Sequence, residues 1–384
     1  MLSADLFTAI TNKTILNQRF ATDLNEQTNA ILSDMAKWIR ITLYDYESIF
    51  GETITPARKK RLDKLLATVT GKLDEIYQDI DDLYIESFRG LSSEDANFIA
   101  QAIDEDLLDN LVMNVPSDQR LWAAVTQNPL HFPDDVNNPY VDFVKMVKSL
   151  GEKSTQIANT ISAAYFSGQT VQETVSQIVG TRKANYRDGM VDKSRRDAER
   201  VVRTATNHVT TQARARLYED NEDIVYGYRI VATIDTRTST ICKTLDGKVV
   251  KLTARVQPLP PFHPNCRTTT VPEIYGQKLS DTAATRAVNF KARGDVKAGT
   301  VGQVSAQNTY LVELKKQPAG QQDIALGPIR GKIFRNAGLT TEEFKKALAD
   351  NMGRPLTLAE MARQNKKILE YMRQSKELSR YLDD

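Results

Sequence analysis

The sequence predicts an α+β protein that is mostly helical, with long N-terminal helices and a small β module inserted between helices in the C-terminal half. Two observations indicate this class. Apolar residues recur at steps of three and four over long stretches, which is the period of one buried helix face. Between Tyr228 and Ile234 the period becomes two, as in a strand. We divide the chain into three regions. Residues 1–180 form a helical N-terminal region, for which an extended arm is an alternative. Residues 181–276 form a mixed module, and residues 277–384 form a helical C-terminal extension.

The N-terminal region is predicted to consist of helices that prolines interrupt. Residues 1–50 contain few helix breakers, and Pro56 opens a helix with apolar residues at three- and four-residue steps. The members of this stripe are Leu62, Leu65, Leu66, Val69, Leu73, Ile76 and Ile80. A serine pair before Glu94 and Asp95 predicts the start of another helix. Prolines break the chain between residues 114 and 139, and the tract 128–139 is predicted to be a loop or arm, in which we expect His131 to be exposed to solvent.

Helical signals resume at residue 141. We expect helices over 141–166 and 170–179, the second ended by Gly180, and a long helix over 188–218. One face of the long helix is apolar and predicted to be buried: Ala198, Val201, Ala205, Val209, Ala213 and Leu217. The opposite face carries candidate contacts for DNA phosphates: Arg195, Arg196, Arg203 and Arg214. For His208, beside this charged face, we expect a structural hydrogen bond rather than catalysis.

The β module is predicted from three short segments. Residues 228–234 alternate as a strand does. Asp246 and Gly247 form a turn signal before a strand that ends at Val250. A third strand is expected at 268–271, stopped by Pro272, and after Ser280 we expect helices again.

Charge is balanced over the whole chain but unevenly distributed along it. The formal net charge is +2. Residues 74–109 contain twelve acidic residues and one basic residue, whereas residues 181–216 contain ten basic and four acidic residues. Such runs are typical of solvated helix faces, and the same runs would orient contacts with charged partners.

Composition argues against a secreted or membrane-spanning protein. Two cysteines in 384 residues do not indicate a disulfide scaffold. The first residues lack a basic segment followed by an apolar one, so we expect no signal peptide. No stretch approaches the roughly 18 apolar residues of a membrane span. We therefore expect a protein made in the cytosol.

Both cysteines and one of the three histidines lie close together in the second half of the chain. Cys242, His263 and Cys266 are candidate metal ligands, because structural zinc sites use four thiolates and imidazoles in tetrahedral array. The set is one ligand short. Asp235 or Asp246 would be the fourth, or no metal is bound. A disulfide is a further alternative, against which a cytosolic origin argues. We favour a packed turn with reduced cysteines and no cofactor.

The same segment contains residues suited to fixing its backbone. Prolines at positions 258, 260, 261 and 264 restrict the chain. Asp235 and Arg237 are predicted to pair and to pin the loop that carries Cys242. Arg267 is suited to a forked hydrogen bond with a carboxylate. These roles are structural.

The order and spacing of these residues resemble the phage Mu protein F-like head morphogenesis family, also called phage minor head proteins. The resemblance runs from residue 203 to residue 272, and residues 310–360 resemble the family's C-terminal extension more weakly. The matching positions are Arg203, Thr204, Asp235, Arg237, Thr238, Cys242, Leu245, Asp246, Gly247, Pro260, Pro261, His263, Pro264, Cys266 and Arg267. Ser239 and Thr268 stand where many members have cysteines, which favours a purely structural module.

This resemblance implies a virion component rather than an enzyme. It implies a minor head protein, associated with the portal vertex, that acts in procapsid assembly and in DNA packaging or ejection. The implied partners are the portal protein, capsid or scaffolding proteins and packaged double-stranded DNA. The implied location is the virion head, assembled in the host cytoplasm.

Two other functions stay open from the residues alone. Asp235, Asp246 and His263 would form the centre of a metal-dependent hydrolytic or toxin-related enzyme, although the sequence has no glycine-rich phosphate loop. The basic helix within 181–216 would serve a DNA-binding protein, although the net charge is near zero.

Overall fold

The computed structural model describes residues 4–51, 54–106, 112–277, 283–291, 294, 296–350 and 353–382. Helices make up 63% of the structure, and the three-stranded sheets lie in the C-terminal half. The predicted α+β, mostly helical class is therefore confirmed. Within the described residues, no helix is both long enough and apolar enough to cross a membrane.

The helices and strands are numbered in chain order. The helices are α1 (Ala4–Asp45), α2 (Pro56–Asp106), α3 (Asp118–Gln127), α4 (Phe143–Val147), α5 (Glu152–Phe166), α6 (Val171–Val179), α7 (Met190–Glu219), α8 (Thr240–Leu245), α9 (Tyr310–Lys315), α10 (Ala319–Leu326), α11 (Pro328–Asn336), α12 (Thr341–Leu348), α13 (Leu358–Gln364) and α14 (Lys366–Gln374). The strands are β1 (Leu130–His131), β2 (Tyr140–Val141), β3 (Val225–Val231), β4 (Ile234–Asp235), β5 (Val249–Lys251), β6 (Thr269–Ile274), β7 (Thr285–Asn289) and β8 (Val301–Ser305).

The chain folds as two compact units, each built from separated segments. The helical unit comprises Asn17–Leu91 and Asp142–Thr206, and the mixed unit comprises Met1–Leu16, Ser92–Val141 and Asn207–Asp384. Helices α1, α2 and α7 contribute residues to both units. The three predicted regions, by contrast, are consecutive stretches of the chain.

The helical unit is organised around buried faces that the sequence predicts. On α2 the buried positions include Leu62, Leu65, Val69, Leu73 and Ile80. Helix α6 begins with a capping box, in which the Thr170 and Glu173 side chains bond each other's backbone N–H groups. It ends at Gly180, whose φ of +95° suits glycine. The α2 stripe and the α6 boundaries are thus confirmed.

One prediction about helix boundaries is wrong. Helix α2 runs unbroken through the serine pair at 92 and 93, and Ser92 lies buried within it rather than capping a helix. The predicted loop at 128–139 is present between β1 and β2, although β1 lies within it and pairs with β2. Pro116 and Pro129 lie on either side of α3. His131 lies in β1, half-buried and stacked on Tyr140 with ring centroids 4.8 Å apart.

The mixed unit contains two three-stranded sheets. In the first, β3 lies between β5 and β6 and is antiparallel to both. A Cβ atom on Gly227 of β3 would lie 2.4 Å from the Val250 carbonyl oxygen, so the close strand pairing requires glycine here. In the second sheet, β7 lies between β4, to which it is parallel, and β8, to which it is antiparallel.

The structure corrects two strand predictions in this unit. Pro272 does not stop β6, which continues to Ile274. Because β6 is an edge strand, a residue without an N–H is tolerated there. Strands β7 and β8 occupy a stretch after Ser280 that was predicted to be helical; Ser280 itself lies outside the described residues. The helices α9 to α14 follow from Tyr310 onwards, as expected for the C-terminal extension.

An apolar core beneath the first sheet positions the cysteine segment. Cys242 and Cys266 are buried in this core together with Ile241, Leu245 and Phe262. The second sheet packs with α9 to α14 around its own core, which includes Val288, Phe290, Tyr310, Phe334 and Phe344.

Candidate functional site

The structure brings together the three predicted metal-ligand candidates. Cys242 lies on α8, and His263 and Cys266 lie in the loop before β6. The two sulfur atoms are 3.6 Å apart, and His263 Nε2 lies 3.3 Å from Cys242 Sγ. All three ligand atoms fall within 4.8 Å of one another. Both cysteines are free thiols and buried.

Backbone contacts hold these residues in place. Ser239 caps α8 by accepting a hydrogen bond from the Cys242 N–H at 3.4 Å. Asn207 on α7 donates through Nδ2 to the carbonyl oxygens of Cys266 (3.1 Å) and Thr268 (2.8 Å). His263 Nδ1 lies 2.9 Å from the Pro264 carbonyl oxygen, so this nitrogen carries the proton and Nε2 faces the sulfur.

The electrostatics favour a thiolate next to the imidazole. The hydrogen bond with Cys266, and then burial, raise the pKa of the Cys242 thiol. Burial by itself would raise the pKa of Cys266, but hydrogen bonds from Cys242 and His263 lower it. Burial would lower the pKa of His263, but its hydrogen bond to Cys266 and the charge on that sulfur raise it. One negative charge is therefore stabilised within the group.

A small cavity borders Cys242 and His263. Its volume is about 30 Å³, and its lining includes Arg237, Ser239, His263, Asn265 and Thr268. A cavity of this size holds a water molecule, which needs roughly 10–15 Å³. The group thus has one small, polar, accessible side.

Asp235 is held chiefly by Arg267. The Arg267 guanidinium donates two parallel hydrogen bonds to it, Nη1 to Oδ2 at 2.6 Å and Nη2 to Oδ1 at 2.9 Å. The predicted partner Arg237 contributes its backbone N–H at 2.9 Å, while its mostly exposed side chain stays 3.9 Å away. Burial would raise the pKa of Asp235, but the bonds from Arg267 outweigh burial and lower it. The expected forked bond of Arg267 is thus present, and the expected pairing with Arg237 is present as a longer side-chain contact and a backbone hydrogen bond.

Asp246 is fully buried, and both of its carboxylate oxygens accept hydrogen bonds. Arg286 on β7 donates to both of its oxygens at 3.0 Å, and the backbone N–H groups of Ala232 and Tyr310 donate at 2.8 and 2.6 Å. Among the described residues, the cluster of possible ligands contains Cys242, His263 and Cys266 and neither aspartate. Neither aspartate is therefore placed to be the fourth ligand, which was one of the alternatives left open by the sequence, and the constellation Asp235–Asp246–His263 does not assemble.

The middle of the chain is similar to a known protein family. The stretch 151–271 matches the family described as Phage Mu protein F like protein.

Residues 151–271 are a phage Mu protein F-like region.

The predicted resemblance is thereby confirmed, and the region extends further upstream than residue 203, where the sequence resemblance begins. No curated protein and no solved structure gave a significant match.

The structure places two of the four candidate DNA-contacting arginines differently from the prediction. Arg214 is not on a solvated face: it is 1% exposed and bonds Asp95 through Nε and Nη2 at 2.6 and 2.9 Å. Arg195 is half-buried and donates to Ser33. Arg196 and Arg203 are exposed, and each pairs with an acidic residue four positions earlier on α7. The prediction for Arg214 is wrong because α2 and β6 cover that part of the helix.

Several residues that organise the Mu F-like region were missed by sequence reasoning. Asn207 and Asp95 are ordinary polar residues within helices, and their partners lie 59 and 119 positions away. Arg286 gave no signal in the sequence either, since it occupies a buried position of β7 where an alternating strand would carry an apolar residue. His208, in contrast, has the structural hydrogen bond that was expected, from Nε2 to the Val125 carbonyl oxygen at 2.9 Å.

Proposed function

We propose that this chain is a minor head protein that docks at the portal vertex and takes part in procapsid assembly and in packaging or delivery of DNA. The observation that carries the proposal is the Mu F-like region at 151–271. Its proposed partners are the portal protein and capsid or scaffolding proteins. Its proposed location is the virion head.

A structural rather than catalytic role fits the state of the charged groups. Asp235, Asp246 and Arg214 are each engaged in buried or half-buried ion pairs within the mixed unit. Such groups hold a fold together, whereas an acid or base in catalysis must reach a substrate. We therefore propose that the protein is not an enzyme.

An acidic stripe on α2 is the docking surface we propose for a basic partner surface. Glu75, Asp79, Asp82 and Glu86 are all exposed and recur at steps of four, three and four, which places them on one helix face. Electrostatic complementarity at such a surface raises association rates and selects partners.

Cross-linking in infected cells tests the proposal. An affinity-tagged chain is cross-linked during infection, purified and analysed by mass spectrometry, and we expect portal protein among the cross-linked partners. Asp79→Lys combined with Asp82→Lys is expected to reduce portal recovery. Glu342→Lys, an exposed acidic position on α12, is the matched control and should leave recovery unchanged. Recovery of host proteins alone would contradict the proposal.

A further inference from the structure

We propose that Cys242, His263 and Cys266 bind a zinc ion, with a water molecule from the adjoining cavity as the fourth ligand. The proposal does not depend on the portal role, because it rests on the local geometry of these three side chains. It differs from the four-ligand protein site considered in the sequence, since no carboxylate takes part.

Two of the separations between ligand atoms are close to those of a tetrahedral zinc site, and the third is within 4.8 Å. Bonds of about 2.3 Å to sulfur and about 2.0–2.1 Å to nitrogen at tetrahedral angles put two sulfurs about 3.8 Å apart, and sulfur and nitrogen about 3.5 Å apart. The observed separations are 3.6 Å and 3.3 Å. A disulfide would need the sulfurs at about 2.05 Å. The side chains therefore need only small shifts to accept the metal.

The histidine is oriented as a metal ligand requires. Its Nδ1–H donates to the Pro264 carbonyl oxygen at 2.9 Å, which leaves the Nε2 lone pair facing Cys242 Sγ. Zinc-bound histidines in proteins commonly use this arrangement, in which a carbonyl or carboxylate fixes the ring and its tautomer. Asn207 fixes the Cys266 end by binding the carbonyl oxygens on either side of Arg267.

Cys242 and His263 both line the cavity of about 30 Å³, which is where we place the fourth ligand. Thr268 and Ser239 also line this cavity, and the Ser239 hydroxyl accepts the Cys242 N–H at 3.4 Å. Their hydroxyl groups are suited to holding a zinc-bound water, which has room in a space of this size. Asp235 and Asp246 are engaged with arginines and stay outside the group.

Metal binding by the full-length chain tests the site directly. Protein is reduced, stripped of metal and titrated with Zn²⁺ against a chromophoric chelator, and separately with Co²⁺ as a spectroscopic probe. We expect about one zinc ion per chain. We also expect cobalt spectra with a thiolate charge-transfer band and the visible bands of tetrahedral coordination. Because these spectra are recorded on the wild-type protein, the result does not depend on whether a variant folds.

Substitutions assign the ligands. Cys242→Ser, Cys266→Ser and His263→Asn should each weaken zinc binding by more than about 100-fold, beyond the 10–100-fold typical of outer-shell changes. His131→Asn, at a histidine outside the ligand group, is the matched control and should leave binding unchanged. Thr268→Cys should strengthen binding by placing a thiolate at the fourth position, whereas Thr268→Ser should not. Circular dichroism checks that each variant is folded.

Three results would overturn the proposal. One is a zinc content near zero in protein with two free thiols. Another is a cobalt spectrum without the thiolate band. The third is a Cys242–Cys266 disulfide in protein purified from the cytosol without reductant.

Discussion

At the residue scale, the Mu F-like region is held by carboxylates that face guanidinium groups from distant parts of the chain. Asp246 is the most enclosed of these, with no exposed surface and donors from Arg286 and two backbone N–H groups. Breaking one side of a buried pair costs more than the pair contributes, because the remaining charge has no partner.

Asp246→Asn is expected to lower the free energy of unfolding by about 3–5 kcal/mol, because the Arg286 charge then stays buried without a carboxylate. Urea denaturation followed by circular dichroism measures the change. Glu342→Gln, at an exposed acidic position, is the control and should stay within about 0.5 kcal/mol of wild type. A loss below about 1 kcal/mol for Asp246→Asn would show that the pair is not important for stability.

His208 makes stability depend on pH in a direction set by burial. Burial lowers its pKa from 6.5 to about 4, while its hydrogen bond to Val125 acts in the opposite direction. The folded state therefore resists protonation. The unfolded state takes up a proton below about pH 6.5, so the stability is fully present above that pH and is lost as the pH falls towards 4.

We expect wild type to lose more stability than His208→Gln between pH 6.5 and pH 4, by on the order of 2–3 kcal/mol. Urea unfolding at a series of pH values measures both proteins. Because other groups titrate equally in wild type and variant, the difference between the two curves isolates His208. Parallel curves would contradict the assignment.

The sequence predicted which residues form the site but not which ones pair. Cys242, His263 and Cys266 were recognisable because their spacing is local and their residue types are uncommon in this chain. Asp235 pairs with Arg237, two positions away, as expected, but only at 3.9 Å, whereas Arg267 binds it at 2.6 Å across 32 positions. Sequence proximity does not determine where a long arginine side chain points once the loop has folded back.

At the element scale, hydrophobic periodicity predicted which helix faces are buried, but it did not predict which neighbouring elements pack against a helix. All six apolar positions predicted on α7 are buried. Arg214, assigned to the opposite face, is buried as well, because α2 supplies Asp95 and β6 supplies Thr269 as partners. The sequence pattern of a helix identifies its apolar face. It does not show which polar residues become buried when another element packs against the opposite face.

The Asp95–Arg214 pair joins α2, α7 and β6 within the mixed unit, and a double-mutant comparison tests its role. Arg214→Met and Asp95→Leu alone are each expected to cost about 3–5 kcal/mol, because each leaves one charge buried. The double variant should be more stable than either single variant, since apolar replacements of similar volume are often near neutral. Thermal and urea unfolding measure all three. Simple addition of the single effects would contradict the assignment of a coupled pair.

Prolines misled the prediction of elements in two opposite ways. Between residues 128 and 139 they suggested a loop, yet β1 lies in this tract and pairs with β2 directly after it. Pro272 suggested the end of a strand, yet it lies within edge strand β6. In both cases the proline restricts only its own position and the residue before it, and tertiary pairing determines the rest.

At the whole-molecule scale, the division into units was not accessible to sequence reasoning. The units combine segments that are far apart in the chain, and α1, α2 and α7 contribute to both. The hydrophobic periodicity of these helices is continuous, so it predicts each of them as a single element. No local sequence feature marks the residue at which a helix passes from one unit to the other.

Ion pairs on the surface of α7 predict little contact between this helix and DNA. Arg196 and Arg203 are paired with Asp192 and Glu199 on the same helix, so these pairs carry no net charge. We expect Arg196→Gln with Arg203→Gln to leave the salt dependence of duplex DNA binding unchanged. Fluorescence anisotropy at several salt concentrations measures it. A slope reduced by about 2 would instead show that both arginines contact phosphates.

The location of the chain in assembled particles tests the central claim most directly. Heads purified from an infection with a tagged chain are labelled at the tag and imaged by electron cryomicroscopy without imposed icosahedral symmetry. A minor head protein docked at the portal predicts label at a single vertex, the one that contains the portal. Label spread over all vertices, or heads that lack the chain, would contradict the account.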